Sequence, residues 1–318
     1  MLKERFIEYL RFEKRYSPHT LHSYEHDLLQ FISFLQEQYQ VLVPEDASPL
    51  MIRSWIVSML EQGISARTVN RKLSTLNAFY HFCQRSGALQ LNPLKKVTFP
   101  KSSSSLPVFI DKDKMEQLLG SIPFEDDFEG LRDRMMLMLL YSTGIRRAEL
   151  IGLREKDIDF GNSTIKVLGK RNKERIIPIG SYISGQLDIY IRSKEKFMSS
   201  MEYKGAKEGL EQGSGEERFK DFSQNIGGFL FVTSAGKRIG PRQVYTIIHK
   251  YLSLVSSQSK LSPHVLRHTF ATHMLNEGAD LNSIKEILGH TSLAATQVYT
   301  HNTIEKLKLI FKQAHPRA

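Results

Sequence analysis

Cysteine is almost absent from this chain. Cys83 is the only one in 318 residues, which rules out an internal disulfide and a thiolate-rich zinc cluster. With Phe79 and Phe82 beside it, it reads as part of a packed helix face with no redox role. No apolar run approaches the length of a membrane-spanning helix, and the opening Met1-Leu2-Lys3-Glu4-Arg5 lacks the hydrophobic stretch of a secretion signal. A membrane partner is therefore not expected, and the cytoplasm is the expected compartment. No Gly-Lys-Ser/Thr loop of the kind that cradles nucleotide phosphates occurs. Periodic repeats and long low-complexity tracts are also missing. Acidic residues are the minority charge, 34 against 44 Lys and Arg, which leaves the chain at +10. With 41% hydrophobic and 25% charged residues the composition is globular. Its positive excess favours a polyanionic partner, although charge alone does not choose between DNA, RNA and an anionic surface.

The chain divides by pattern. Residues 1–90 read as helices without a convincing strand. Ser17-Pro18 is an N-cap followed by proline at the first helical position, and Leu21, Tyr24, Leu28, Phe31 and Leu35 then line one face. Met51 to Leu60 forms a shorter helix with Trp55, the only tryptophan. Ser65 opens another, in which Val69, Leu73, Leu76, Phe79 and Tyr80 face inward. The polar faces carry Lys14, Arg15, His19, Arg67, Arg71 and Lys72, which suit a phosphate backbone and a merely solvated surface equally well. Residues 91–107 hold Asn92-Pro93, Phe99-Pro100, four serines and Leu106-Pro107, the composition of an interdomain linker. Lys95, Lys96 and Lys101 give it the charge of a strap across a nucleic acid, or of an ordinary solvated linker.

Beyond the linker the pattern is mixed. Leu131 to Tyr141 reads as a buried helix and Arg146 to Leu153 as a second amphipathic run. Between Ile158 and Ile179 the alternation predicts strands, with a hairpin whose basic tip is Gly169-Lys170-Arg171-Asn172. The Gly-, Glu- and Lys-rich stretch 197–228 reads as a partly disordered surface insertion.

The residues with chemistry lie in this second part. Ser262-Pro263 starts a helix that places His264 and Arg267 three residues apart on one face. Free backbone N–H groups, a guanidinium and an imidazole then converge, a combination suited to phosphate. An ordinary surface Arg and His would look the same in isolation. A metal on His264 and His268 is a weaker alternative, because no carboxylate accompanies them at zinc-site spacing. A short helix from Asp280 to Leu288 stops at Gly289, so that His290 follows the stop, and Tyr299 lies in the polar run Thr296-Gln297-Val298-Tyr299-Thr300-His301.

These residues resemble the tyrosine recombinases, the phage-integrase family. The likeness rests on Thr143-Gly144-Ile145-Arg146-Arg147-Ala148-Glu149-Leu150, Gly169-Lys170-Arg171-Asn172-Lys173-Glu174-Arg175, His264-x-x-Arg267-His268, Leu288-Gly289-His290 and Tyr299, all in the family's order. The resemblance implies a mainly α architecture with a small β-sheet: a helical, SAM-like core-binding domain over residues 1–90, a linker over 91–107, and an α+β catalytic domain over 108–318 that ends in a tail helix. It implies that Arg146 and Arg267 grip the scissile phosphate, that Lys170 protonates the leaving 5′ oxygen, that His264 and His290 complete the pocket, and that Tyr299 is the nucleophile. Spacing alone leaves Arg146 and Arg147 open, and likewise Lys170 and Lys173. Position 171 is Arg where the family's hairpin usually has Gly. Arg67, Arg71, Lys72, Lys101 and Lys173 are the further candidates for DNA contact.

The implied activity is site-specific cutting and rejoining of DNA through a 3′-phosphotyrosine, without cofactor or metal. Exchange between esters of similar energy needs no nucleotide hydrolysis, in keeping with the missing nucleotide loop. The compact two-domain form resembles the Xer recombinases, which resolve chromosome dimers as a tetramer on two duplexes. A homo-tetramer, a hetero-tetramer with a second recombinase and an activating cell-division DNA translocase are implied partners. The alternatives are a mobile-element integrase with the same chemistry and a non-catalytic architectural DNA-binding protein. Leu307, Ile310 and Phe311 give the tail an apolar face suited to docking on a neighbouring subunit or on its own domain. Truncation at Ile304 is expected to accelerate and uncouple cleavage if the tail docks on a neighbour. Unchanged assembly and activity, measured by sedimentation and a cleavage assay, would reject that docking.

Overall fold

A computed structural model describes residues 2–101, 108–169, 173–212, 228–258 and 260–289, with the backbone alone for 201–212. The chain divides into two compact units, Met1–Ser105 and Leu106–Ala318. Mostly helix with one small sheet is the architecture expected from the pattern. Among the described residues no helix is long and apolar enough to cross a membrane.

The first unit is helical. It contains α1 (Leu2–Glu8), α2 (Pro18–Tyr39), α3 (Pro49–Glu61) and α4 (Ala66–Arg85). Ser17, Ser48 and Ser65 cap the last three, each side chain accepting the N–H of the residue three positions on. Such caps satisfy donors that the first turn leaves open, at about 1 kcal/mol each. Leu28, Phe31 and Leu35 of α2 meet Trp55 of α3 and Leu73, Leu76 and Phe79 of α4 in a shared core. Cys83 is wholly buried within it, as its aromatic neighbours suggest.

Asp27 lies on the inward face of α2 and is fully buried. A carboxylate there must be compensated, and α4 supplies the partners. Arg71 Nη2 and Lys72 Nζ each donate to it at 2.9 Å, and the Thr75 hydroxyl donates at 3.0 Å. Burial pushes the Asp27 carboxyl up, but the Arg71 and Lys72 bonds outweigh it and leave the group below its ordinary range. This corrects the placement of Lys72 among the DNA contacts. Its side chain is only 7% exposed and its charge is spent inside the unit, on Asp27 and Gln30.

The stretch read as linker also begins as packed structure. Asn92 caps a 3₁₀ turn, Pro93–Lys96, and its amide donates to Asn77. Leu94 and Val97, three apart, are buried against the helices, and Asn70 donates to the carbonyl of Pro100 at 2.8 Å. Two apolar residues at helical spacing outweigh the prolines around them.

The second unit is built around α6 (Phe128–Thr143), which is buried on nearly every side: the apolar run Met135–Leu140 follows a buried Arg132–Asp133 pair. Around it stand α5 (Lys112–Gly120), α7 (Arg147–Gly152), α8 (Ser181–Gln212), α9 (Pro241–Leu252), α10 (Pro263–Asn276) and α11 (Leu281–Leu288). Strands β1 (Ile158–Asp159), β2 (Thr164–Leu168) and β3 (Glu174–Pro178) form an antiparallel sheet in the order β1-β2-β3. Ile165 pairs with Ile177 and Val167 with Arg175. The region read as an insertion from residue 197 starts differently. Phe197 stacks on Phe128 with ring centroids 4.2 Å apart, and helix α8 continues to Gln212. Lys, Glu and Met are good helix formers, and the stacked Phe197 ties the helix to the core.

Trp55 is buried in the first unit and serves as its fluorescent reporter. Asp27→Ala should strand the Lys72 ammonium and lower stability by about 3–5 kcal/mol in denaturant titrations followed by Trp55 emission. An unchanged midpoint would show that the buried pair carries no net stabilisation.

Candidate active site

The site begins with a chain reversal. Gly144 closes α6 in the left-handed region at φ +61°, and a Cβ there would stand 2.5 Å from a ring carbon of Phe270. Glycine is therefore required both for the turn and for the close approach of α10. The reversal sets Arg146 at the N-cap of α7 and Glu149 in its first turn. Glu149 reaches back, and its Oε2 accepts the Arg146 backbone N–H at 2.8 Å. Its Oε1 accepts from the Arg146 guanidinium at 2.8 Å.

The carboxylate has a second cation. Arg175, on β3, donates Nη1 to Oε1 at 2.9 Å and Nη2 to Oε2 at 2.8 Å, a forked contact buried on both sides. Burial by itself raises the Glu149 carboxyl, but the Arg175 and Arg146 contacts outweigh it and hold the group at about 2.

The end of α11 completes the frame. A helix leaves its last carbonyls without intrahelical partners and carries partial negative charge there. Here three successive carbonyls each accept from a different arginine: Ile287 from Arg175 Nε at 2.8 Å, Leu288 from Arg267 Nη2 at 2.7 Å, and Gly289 from Arg146 Nη2 at 3.4 Å. Arg267 Nη1 also donates to the carbonyl of Gly144 at 2.7 Å. Gly289 adopts φ +64°, and a Cβ on it would crowd the Arg175 side chain at 3.2 Å.

Three guanidiniums thus stand around one carboxylate, which pairs directly with two of them, Arg146 and Arg175, while Arg267 is held by backbone carbonyls alone. Arg267, 9% exposed, is pushed down to about 10 by burial and then by repulsion from Arg146. It stays charged at neutral pH, in a frame whose negative partners are too few for its cations. Such a cluster favours an entering anion, and Arg146, whose side chain is 25% exposed, gives that anion access.

The structure brings Arg146 and Arg267 to the same helix end. It separates Arg146 from Arg147, whose guanidinium turns to the carbonyl of Pro241 at 3.4 Å. His264 is exposed in the first turn of α10 and His268 is partly buried one turn on. Ser262 stands at the N-cap position but its side chain makes no capping bond. Lys173 is exposed, and its carbonyl accepts the Gly169 N–H at 2.7 Å to close the hairpin. Lys170, Arg171, His290, Tyr299 and the tail from Ile304 lie outside the described residues. Arg67 and Lys101 are exposed. Arg71 is half exposed and lines an open cleft of about 520 Å³ with His19, His22, His26 and Ser74. Among the described residues no group of three or more His, Cys, Asp or Glu is placed to hold a metal ion.

Sequence reasoning passed over Glu149 and Arg175 as site residues. A signal for Arg175 existed: it alternates with Ile177 on one face of β3, and Ile179 continues the inward series just past the strand. An arginine in an inward series must find its partner inside.

A basic chain whose second unit carries a small sheet and an arginine cluster suited to an anion fits the class of proteins that handle a nucleic-acid backbone. Comparison with known proteins narrows it. The signature of the Phage integrase family matches residues 108–306, and that of the Phage integrase N-terminal SAM-like domain matches residues 4–87. Tyrosine recombinase XerC of Pelotomaculum thermopropionicum is 36% identical over 320 residues, covering 99% of this chain and 98% of the relative. Tyrosine recombinase XerC of Oceanobacillus iheyensis is 37% identical over 313 residues, covering 98% and 95%. The fold is shared with the XerH site-specific recombinase bound to its palindromic difH substrate, at TM-score 0.65 and 17% identity over 99% of this chain and 81% of that one. The chain belongs to the phage integrase family, and it is a tyrosine-type site-specific DNA recombinase.

Glu149 supplies a pH dependence. Because the folded carboxyl titrates near 2 and the unfolded one near 4.5, its contribution is complete above the upper value and is lost as the pH falls toward the lower. The difference corresponds to about 3 kcal/mol. Glu149→Gln should lower stability by about that amount at neutral pH and flatten the acid limb, measured by denaturant titration across pH. An acid limb as steep as the parent's would assign it to other carboxylates.

Proposed function

We propose that this recombinase cuts and rejoins duplex DNA at a specific chromosomal site, with Tyr299 as nucleophile, and that it serves to resolve chromosome dimers in the cytoplasm. The observation that carries the reading is the pairing of Arg146 and Arg267 at the end of α11, in a cluster with more cations than it can neutralise itself. In the proposed reaction the Tyr299 oxygen attacks the scissile phosphorus and the bond to the 5′ oxygen breaks. A phenol near pKa 10 is a poor nucleophile at neutral pH, so charge stabilisation by the two guanidiniums and a nearby base are needed. Lys170 gives its proton to the leaving 5′ oxygen, and His264 and His290 complete the pocket. A 5′-hydroxyl from a partner strand then attacks the phosphotyrosine and restores the phenol, so no cofactor is consumed.

Exposed Arg67, Lys101 and Lys173, with Arg71 in its cleft, supply the backbone contacts of this reading. Assembly as a tetramer, with itself or with a second recombinase, and activation by a cell-division DNA translocase rest on the Xer resemblance and on relatives named XerC that cover nearly the whole chain.

Nicked genomic fragments incubated with the protein, then denatured, should yield covalent protein–DNA adducts whose sequencing recovers the site. A nicked duplex carrying that site should give an adduct with the parent and none with Tyr299→Phe. An undiminished adduct in the variant would overturn the assignment of Tyr299.

A further inference from the structure

We propose that Arg175 is a positioning residue for the phosphate site: it takes up the charge of Glu149, so that Arg146 remains available to the scissile phosphate. The inference rests on the reading of Arg146 given above. Arg175 occupies an inward position of β3, opposite Val167 and two residues from buried Ile177. An apolar side chain would fill such a position at no electrostatic cost. The arginine instead directs its forked Nη groups at both oxygens of Glu149 and its Nε at the carbonyl of Ile287.

Room is kept for it on two sides. A Cβ on Gly289 would stand 3.2 Å from its Cδ, Nε and Nη1, and a Cβ on Gly169 would stand 3.4 Å from Nη1. The side chain thereby links the hairpin strand, the first turn of α7 and the last turn of α11.

Its electrostatic effect follows from who shares the carboxylate. Glu149 accepts both the backbone N–H and the Nη1 of Arg146. With Arg175 in place, a second cation neutralises Glu149, and the field of Arg146 remains directed outward. Without it, Glu149 and Arg146 would close into a neutral pair, and the phosphate would face one effective guanidinium, Arg267, where it had two. Arg175 touches no reacting atom; it acts through Glu149.

The test uses two nicked duplexes carrying the site recovered above, one with an ordinary scissile phosphate and one with a methylphosphonate there. Replacing a non-bridging oxygen by methyl removes the negative charge that the arginines neutralise. Single-turnover cleavage is measured for the full-length parent, Arg175→Lys and Arg175→Met. On phosphate, Arg175→Met should cleave about a hundredfold more slowly than the parent, with DNA affinity within about threefold. On methylphosphonate the deficit should shrink to about tenfold or less, because the weakened charge contact is no longer needed. Arg175→Lys, which keeps the charge but loses the fork, should recover part of the rate on phosphate. The ratio of the two rates in one preparation does not depend on the fraction folded, so it remains informative if Arg175→Met is unstable. An equal deficit on both substrates, or none on either, would overturn the inference. A parent that forms no covalent adduct on either duplex would instead overturn the function on which the inference rests.

Discussion

A helix of eight residues ends where three arginines begin, and much of the second unit is arranged around that meeting. Among the described residues, the last carbonyls of α11, the carboxylate of Glu149 and the Gly144 carbonyl are the acceptors of the three guanidiniums. Arg146 arrives from the start of α7, Arg175 from β3 and Arg267 from α10, so the contact also fastens these elements to one another. Helix ends and buried carboxylates need partners because water is excluded from them. Here one set of groups meets both needs, and the outcome is a rigid cluster with excess positive charge.

The first unit uses the same device without the excess reaching a common site. Asp27 is buried as deeply as Glu149, and two cations of α4 converge on it. Lys72 is enclosed together with the carboxylate and serves to join α2 to α4. Arg71 is half exposed and borders the cleft with the three histidines. Side-chain type does not separate these roles; access to solvent does.

The chemistry proposed for the second unit needs little beyond such a cluster. Exchange of one phosphoester for another is nearly balanced in energy, so the demand falls on stabilising the charge that develops around phosphorus. Guanidiniums held by backbone carbonyls and a buried carboxylate are already oriented, and they pay no reorganisation when the phosphate arrives. The low dielectric around Arg267 strengthens each such contact.

The family, the helical class, the serine caps and the order of the motifs were legible in the sequence, because periodicity, cap chemistry and motif spacing act over a few residues at a time. The proposed roles of Tyr299 and its partners rest on the family resemblance that this order carries. Three things required the tertiary structure. Lys72 and Arg71 are adjacent in sequence, yet one lies inside and one borders a cleft, since Asp27 on another helix draws Lys72 inward. Leu94 and Val97 turn part of an apparent linker into core, because a surface to bury them is present. That Arg146 reaches the end of α11 while Arg147 turns to Pro241, and that Glu149 pairs with Arg175 of β3, depends on contacts between segments distant in the chain. Local sequence determines what each segment can form and which charges it carries; only the packing of segments decides which charges are buried, with whom, and which are left facing an anion.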